Sequence, residues 1–293
     1  MHLITFEQNN QRCIGVLDKN RNELIDLVAA VPDFPTDMLG LITASESWLE
    51  KAGAAVASGK ARLPVSGIKI LAPIPRPVRN ILCVGKNYRD HVTELQSSLP
   101  TAGDGAPDLP IIFTKATTSV IGPSDTIPAS LDPTDSADYE GELAVVIGKG
   151  GRGIPHDQAM EHIFGYTIIN DVTSRRMQKG HQQWFLGKSL DGFCPMGPSL
   201  VTRNEIPDVT QLQVRTEVNG ELRQDGKVVQ MIFDIPTLIE TLSQTMTLVP
   251  GDIIATGTPA GVGMGFNPPR FLKPGDRVVV TIEPIGILEN PVG

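Results

Sequence analysis

The sequence predicts an α+β protein that is mainly β: a roll or barrel-like sheet structure with few helices, behind a small N-terminal α/β domain. Three observations carry that expectation. From residue 80 onward, short apolar runs rich in Val and Ile recur between loops rich in Gly, Pro and Asp. These runs do not alternate regularly with helical patterns, which argues against a doubly wound parallel sheet. The segment IKILAPIPRPV (68–78) holds three prolines and reads as an extended linker rather than a packed element. The boundary is therefore placed near residue 72, with 1–72 as the small domain and 73–293 as the larger one.

Taken in order, Leu3–Glu7 and Cys13–Asp18 read as two short strands joined by the polar turn NNQR. Leu39, Leu41 and Ile42 mark a short helical stretch. Ser47–Gly59 is a second helix, opened by Ser47 and closed by Gly59. Beyond the linker, strands are expected over 80–85, 110–115, 141–148, 165–171, 212–220, 252–257 and 276–286, with helices near 87–97, 156–163 and 234–244. The stretch SSLPTAGDGAPDLP (97–110) reads as a mobile insertion.

Composition narrows the class of protein. A chain of 293 residues with 40% hydrophobic content can bury a large core, and its 33 acidic against 25 basic residues give a formal charge of −8. A nucleic-acid or anionic-membrane binder would carry a basic footprint instead. The three cysteines, Cys13, Cys83 and Cys194, are far apart in sequence. That spacing offers no thiolate zinc site and fits a reducing compartment. The N-terminus lacks a basic segment followed by an apolar one, and no apolar run approaches the ~20 residues of a membrane span. The expectation is a cytoplasmic protein.

The chemistry begins at DYEGELAVVIG (138–148). Glu140 and Glu142 are two residues apart, so on a strand both side chains leave from one face. The apolar run after them marks a strand buried on both sides, where two like charges repel and are costly to desolvate. A divalent cation would offset both penalties. Exposed acids are nevertheless far commoner than buried ones, and the pair alone does not decide the matter. A third acid, Asp171, ends the apolar strand GYTIIND; by itself it reads as an N-cap for a helix over TSRRMQ. Three carboxylates at two strand ends make an oxygen-rich site suited to Mg²⁺, Mn²⁺ or Ca²⁺. His91 and Glu94, three apart on a helix, can hydrogen-bond, and a carboxylate so placed makes imidazole a better base. Lys188 lies in the apolar, aromatic stretch WFLGKSLDGFCPMGP, where an ammonium could hold a substrate carboxylate or enolate. Arg175 and Gln178 fall near one face of a helix starting at about Asp171. The glycine-rich GTPAGVGMG and GKGGRG are not nucleotide fingerprints, although the amides of Gly257 and Thr258 could meet an anion. No GxSxG elbow is present, which disfavours a serine hydrolase.

The ordered motifs VGKNYRDHVTEL, DYEGELAVVIG, NDVTSRRMQ, QWFLGKSLDGFCPMGP, IIATGTPAGVG and LKPGDRVVVTIEPIGILENPV together resemble the fumarylacetoacetate hydrolase family over residues 72–291. The QWxxGKxxDxFxPxGP pattern is most similar to the branch of domain-containing 2 and acylpyruvate hydrolase-like members. The resemblance implies a mixed β-roll, usually a homodimer, and a Mg²⁺ or Mn²⁺ site of Glu140, Glu142 and Asp171. It implies a His91–Glu94 dyad on a lid-like helix, with Lys188 catalytic and with Arg175, Gln178, Lys188, Gly257 and Thr258 at substrate-contact positions.

The implied activity is hydrolysis of a C–C bond in a 2,4-diketo acid of acylpyruvate or fumarylpyruvate type. The metal stabilises the enolate and His91 activates water. The same site would serve an oxaloacetate-type decarboxylase or a 2-hydroxy-diene-dioate isomerase or tautomerase. A non-catalytic 2-oxo acid binder is the alternative from another class. Phe185 or Phe193, with the segment 92–110, is expected to read the far end of the substrate.

Overall fold

The computed structural model describes residues 1–18, 22–44, 47–98 and 105–293, with side chains described to residue 94 and again from 105. Its main sheet runs Arg62–Pro64, Glu23–Asp26, Gln11–Asp18, His2–Gln8, Cys194–Thr202, Ile163–Asn170, Gly141–Ile147, Ile253–Ala255, Ile81–Gly85, Ile111–Lys115. This path is open rather than closed on itself. A second sheet runs Glu221–Lys227, Gln213–Val218, Arg277–Ile282, Gly286–Pro291. The chain is mostly β with fewer helices, as the sequence predicts.

The strand Gly141–Ile147 is buried along its whole length. Leu143, Val145 and Ile147 pack in one core cluster with Val214, Val218, Val278 and Val280 of the second sheet. Ala144 and Val146 pack in another with Cys83, Ala255 and the N-terminal strands. Period-2 alternation thus divides the strand between two cores, and Glu142 shares the face of Ala144. Gly141 lies on the other face. A Cβ there would meet Thr216 Oγ1, and Val280 Cγ1 at 2.9 Å. The close approach that requires glycine comes from these side chains.

Helices follow their caps. Ile235–Thr245 starts at Asp234, whose side chain accepts from Thr237 N, and it buries Ile235, Leu238, Ile239 and Leu242 at i, i+3, i+4 and i+7. Ser47–Ser58 stops before Gly59, which sits at φ +66°. No helix among the described residues is long and apolar enough to cross a membrane.

Two departures from the sequence reading bear on the main sheet. Lys69–Leu71, within the proposed linker, is a strand paired with Thr5–Glu7, and Ala72 and Ile74 are buried after it. The prolines begin only at Pro73, so they end the strand without preventing it. Cys194–Thr202 is a nine-residue strand hidden in the sequence by Pro195 and Pro198. Its pairing absorbs them through a register shift opposite Tyr166–Ile168 and a short parallel contact with Val120–Ile121. Of the insertion 97–110, residues 99–104 lie outside the described residues.

Candidate active site

Antiparallel pairing assembles the acids. Gly141 lies opposite Asn170, so Glu140 just before one strand meets Asp171 just after the other. Asp171 N donates to Glu140 O at 2.8 Å, and Glu140 N donates to Asn170 Oδ1 at 2.9 Å. One ligand oxygen from each of Glu140, Glu142 and Asp171 falls within 4.8 Å of the others, and all three residues are buried.

The helix after Asp171 begins later than the sequence implies. Thr173–Ser174 stays extended, paired with Ala137–Asp138, and the helix Arg175–Gly180 starts only after Ser174, which stands at its N-cap position without a side-chain capping bond. Asp171 is therefore no cap, and its carboxylate points into the site. Its Oδ2 receives Lys188 Nζ at 2.7 Å and its Oδ1 faces Lys115 Nζ at 2.7 Å. Lys188 also reaches Glu140 Oε2 at 2.6 Å. Arg175 bridges Glu140 Oε1 at 2.6 Å and Asp138 Oδ2 at 2.8 Å.

These neighbours treat the two glutamates differently. Burial opposes ionisation of Glu140, but Lys188 and Arg175 outweigh it and hold the carboxyl at about 2. Burial, Asp171 and Glu140 push Glu142 well above the usual carboxylate range. Glu142 makes no ion pair among the described residues; its Oε2 only accepts from Gly257 N at 2.8 Å. The site thus holds a buried acid short of positive charge, within reach of two other carboxylates. A hard divalent cation is the group that this donor set fits.

The strand Ile253–Ala255 lies parallel to Ile81–Gly85, which brings the turn 256–258 beside 85–87. Asn87 Nδ2 ties the turns together by donating to Thr256 O at 2.8 Å and Phe233 O at 3.0 Å. Gly257, at φ +105°, has Asn87 Cβ 2.8 Å from where its own Cβ would lie, so no side chain fits. The helix Arg89–Ser98 then carries His91 and Glu94. His91 Nδ1 lies 3.2 Å from Glu94 Oε2, and Glu94 Oε1 accepts from Gly261 N at 2.9 Å.

A cavity of about 440 Å³ is lined by His91, Glu140, Glu142, Arg175, Gln178, Lys188 and Thr258. Of the predicted substrate contacts, Gly257 is not among the lining residues, because its amide serves Glu142. Arg175 is first a support for Glu140. Phe193 is fully buried in the core and Phe185 lies outside the cavity. Phe113, Trp184, Met264 and Phe271 form the apolar wall instead. Trp184 packs edge-on to Phe113 at 5.2 Å and lies so close over Gly85 that a Cβ there would collide with it.

Sequence reasoning also missed Lys115, Asp138 and Asn87. Lys115 ends the run IIFTK, and a cation closing an apolar run was the available signal. Asp138 and Asn87 act on loops far away in sequence, and no local pattern marks them.

A mainly β fold carrying a buried carboxylate triad beside a histidine–glutamate pair defines a metal-dependent enzyme class. The chain belongs to the fumarylacetoacetate hydrolase family: residues 80–293 match the profile described as fumarylacetoacetate (FAA) hydrolase C-terminal. Oxaloacetate tautomerase YisK of Bacillus subtilis (strain 168) is 54% identical over 229 residues, covering 78% of this chain and 74% of that protein. The solved fumarylacetoacetate hydrolase EaFAH from psychrophilic Exiguobacterium antarcticum superposes with a TM-score of 0.83 at 44% identity, over 100% of this chain and 99% of that one. A maleylpyruvate hydrolase from Sphingobium sp. SYK-6, solved with manganese(II) and pyruvate, gives 0.79 at 31% identity over 100% and 98%. The family therefore spans a tautomerase and hydrolases.

Proposed function

We propose that this protein is a divalent-metal-dependent tautomerase of a dicarboxylic 2-oxo acid of the oxaloacetate kind, using Mg²⁺ or Mn²⁺ held by Glu140, Glu142 and Asp171. The observation that carries the reading is that His91, Glu140 and Glu142 line one cavity, with Asp171 clustered behind the two glutamates, while Glu94 Oε2 faces His91 Nδ1. Nε2 is then the nitrogen free to accept a proton. His91 Nε2 takes the proton from C3, the C–H electron pair forms the C2=C3 bond, the carbonyl pair moves to the 2-oxo oxygen, and His91 gives the proton back to that oxygen. The bound cation would supply Lewis-acid polarisation of the carbonyl. Lys188 adds fixed positive charge beside the triad. Lys86, Arg176 and Lys179 also line the cavity, and none has an acidic partner among the described residues. In a chain of net charge −8, these local cations suit a dianion. Similarity to the Bacillus tautomerase supports the choice of reaction.

The second reading is hydrolysis of an acylpyruvate, with the dyad activating water. It is favoured by the apolar wall of Phe113 and Trp184, which offers room for a longer substrate. A homodimer is part of the proposal and is checked by light scattering. The activity test follows the enol absorbance of oxaloacetate with Mn²⁺, with EDTA and in His91→Ala, alongside acetylpyruvate cleavage. Metal-dependent, His91-dependent loss of enol supports tautomerisation. Equal enol decay in all three samples sinks it, and rapid acetylpyruvate cleavage favours the second reading.

A further inference from the structure

Glu94 is held both by hydrogen bonds and by a steric contact. Gly261 N donates to Oε1 at 2.9 Å while Oε2 faces His91. The second hold is steric. Around the position of a Cβ on Gly265, the three nearest heavy atoms are all from Glu94: Oε1, Cδ and Cγ, each at 2.5 Å or less. The glutamate therefore lies flat on a bare glycine. Gly265 does not need glycine's left-handed conformation, because its φ is not in the positive range. Its lack of a side chain is used for space alone.

The loop that presents Gly265 is itself anchored to the carboxylate site. Asp138 accepts from Gly263 N at 2.7 Å and Met264 N at 2.9 Å, and also receives Arg175, which holds Glu140. A continuous chain of contacts thus runs from Glu140 through Arg175, Asp138 and the 263–265 loop to Glu94 and His91.

We propose that Gly265 is a positioning residue for this enzyme: its bare face is the seat that holds the Glu94 carboxylate against His91 Nδ1. The inference rests on the dyad reading given above. Gly265→Ala pushes Glu94 aside, leaving the imidazole unoriented but the cavity and the acids unchanged. Because the substitution acts only through the glutamate, it has nothing to displace once the glutamate is gone.

The test measures kcat and KM for oxaloacetate on the Mn²⁺-loaded protein in six forms: wild type, G265A, E94A, E94D, and G265A combined with each change at 94. A crystal structure of G265A accompanies them. The expected result is a kcat about tenfold or more lower in G265A, with KM within about twofold, in line with the 10²–10⁴-fold that acid–base catalysis contributes. Adding G265A to E94A changes kcat by less than about twofold. Adding it to E94D does less damage than to wild type, because the shorter carboxylate withdraws from the seat. The G265A crystal shows Glu94 beyond hydrogen-bond distance of His91. An equal loss from G265A in the wild-type and E94A backgrounds overturns the proposal, because the loop alone is then responsible. So does an undiminished kcat in G265A. If E94A itself keeps full kcat, the dyad reading fails first, and the two failures are told apart.

Discussion

Replacing Asp132 with alanine is expected to destabilise the protein by about 3–6 kcal/mol and to lower activity, although Asp132 does not line the cavity. Its carboxylate, 2% exposed, accepts five hydrogen bonds, from the backbone and hydroxyl of Thr134, the backbone and hydroxyl of Ser136, and Ser174 Oγ. The hydroxyls can turn to one another, since Thr134 Oγ1 and Ser136 Oγ are already 2.7 Å apart. The two amides cannot. Each loses a charge-assisted bond worth about 1.5–3 kcal/mol, which gives the figure above. The network also reaches the site, because Ser136 O and Oγ accept from Arg175 N and Arg176 N at 3.1 and 3.0 Å. Burial works against ionisation of Asp132, but the bonds from Thr134, Ser136 and Ser174 outweigh it and leave its pKa lowered. A depressed folded pKa contributes stability that is present above the unfolded value of ~3.9 and lost as pH falls through the folded one. The gap between wild type and Asp132→Asn, which keeps shape without charge, should therefore be full at pH 7 and narrow towards pH 3. Urea unfolding at the two pH values measures it. A D132A loss under about 1 kcal/mol, or a D132N gap that does not change with pH, would refute the reasoning.

Three further outcomes are expected. Mn²⁺ at about a hundred times its Kd should add about 2.7 kcal/mol, raising Tm by about 5 °C for a chain of this size, and Glu142→Ala should abolish the shift in differential scanning fluorimetry. Arg79 grips the fully buried Asp252 with two bonds of 2.7 Å. Arg79→Ala should therefore cost about 3–5 kcal/mol by urea unfolding, and adding Asp252→Asn should recover much of it by removing the stranded charge. Trp184→Ala should raise KM for acylpyruvates with long apolar tails more than for oxaloacetate; an equal rise for both would remove Trp184 from substrate recognition.

How much of this was legible in the sequence follows the range of the interactions. Glu140 and Glu142 were placed on one face by a period of two, and the apolar run after them marked their burial. His91 and Glu94 were joined by helical spacing. All four rest on contacts within a few residues. Asp171 was found as a strand-end acid, but its local reading as a helix cap failed. The ladder of Thr173–Ser174 with Ala137–Asp138 delays the helix by several residues, and that pairing partner lies more than thirty residues away. Strand Cys194–Thr202 was masked by its prolines for the same reason: what permits them is the register of its neighbours. The seat at Gly265 is less legible still, since the side chain that fills it belongs to residue 94.

The charge count of the site ties these residues to their proposed chemistry. Asp138, Glu140, Glu142 and Asp171 are four buried acids; Lys115, Arg175 and Lys188 are three buried cations. The ion pairs leave Glu142 as the acid without a partner among the described residues, and burial beside Asp171 and Glu140 raises its pKa. The deficit is thus localised on a ligand atom rather than spread over the cluster. A divalent ion bound there would turn a deficit of one charge into a surplus of one. That surplus matches the single carboxylate next to the carbonyl of a 2-oxo acid, so the ion and the substrate head group would close the balance together. The second carboxylate of a dicarboxylic substrate would then need positive charge from elsewhere, and Lys86, Arg176 and Lys179, which line the same cavity, would supply it. A monocarboxylic acylpyruvate makes no such demand. Neutralising Lys86 and Lys179 together should therefore raise KM for oxaloacetate while leaving KM for acetylpyruvate nearly unchanged.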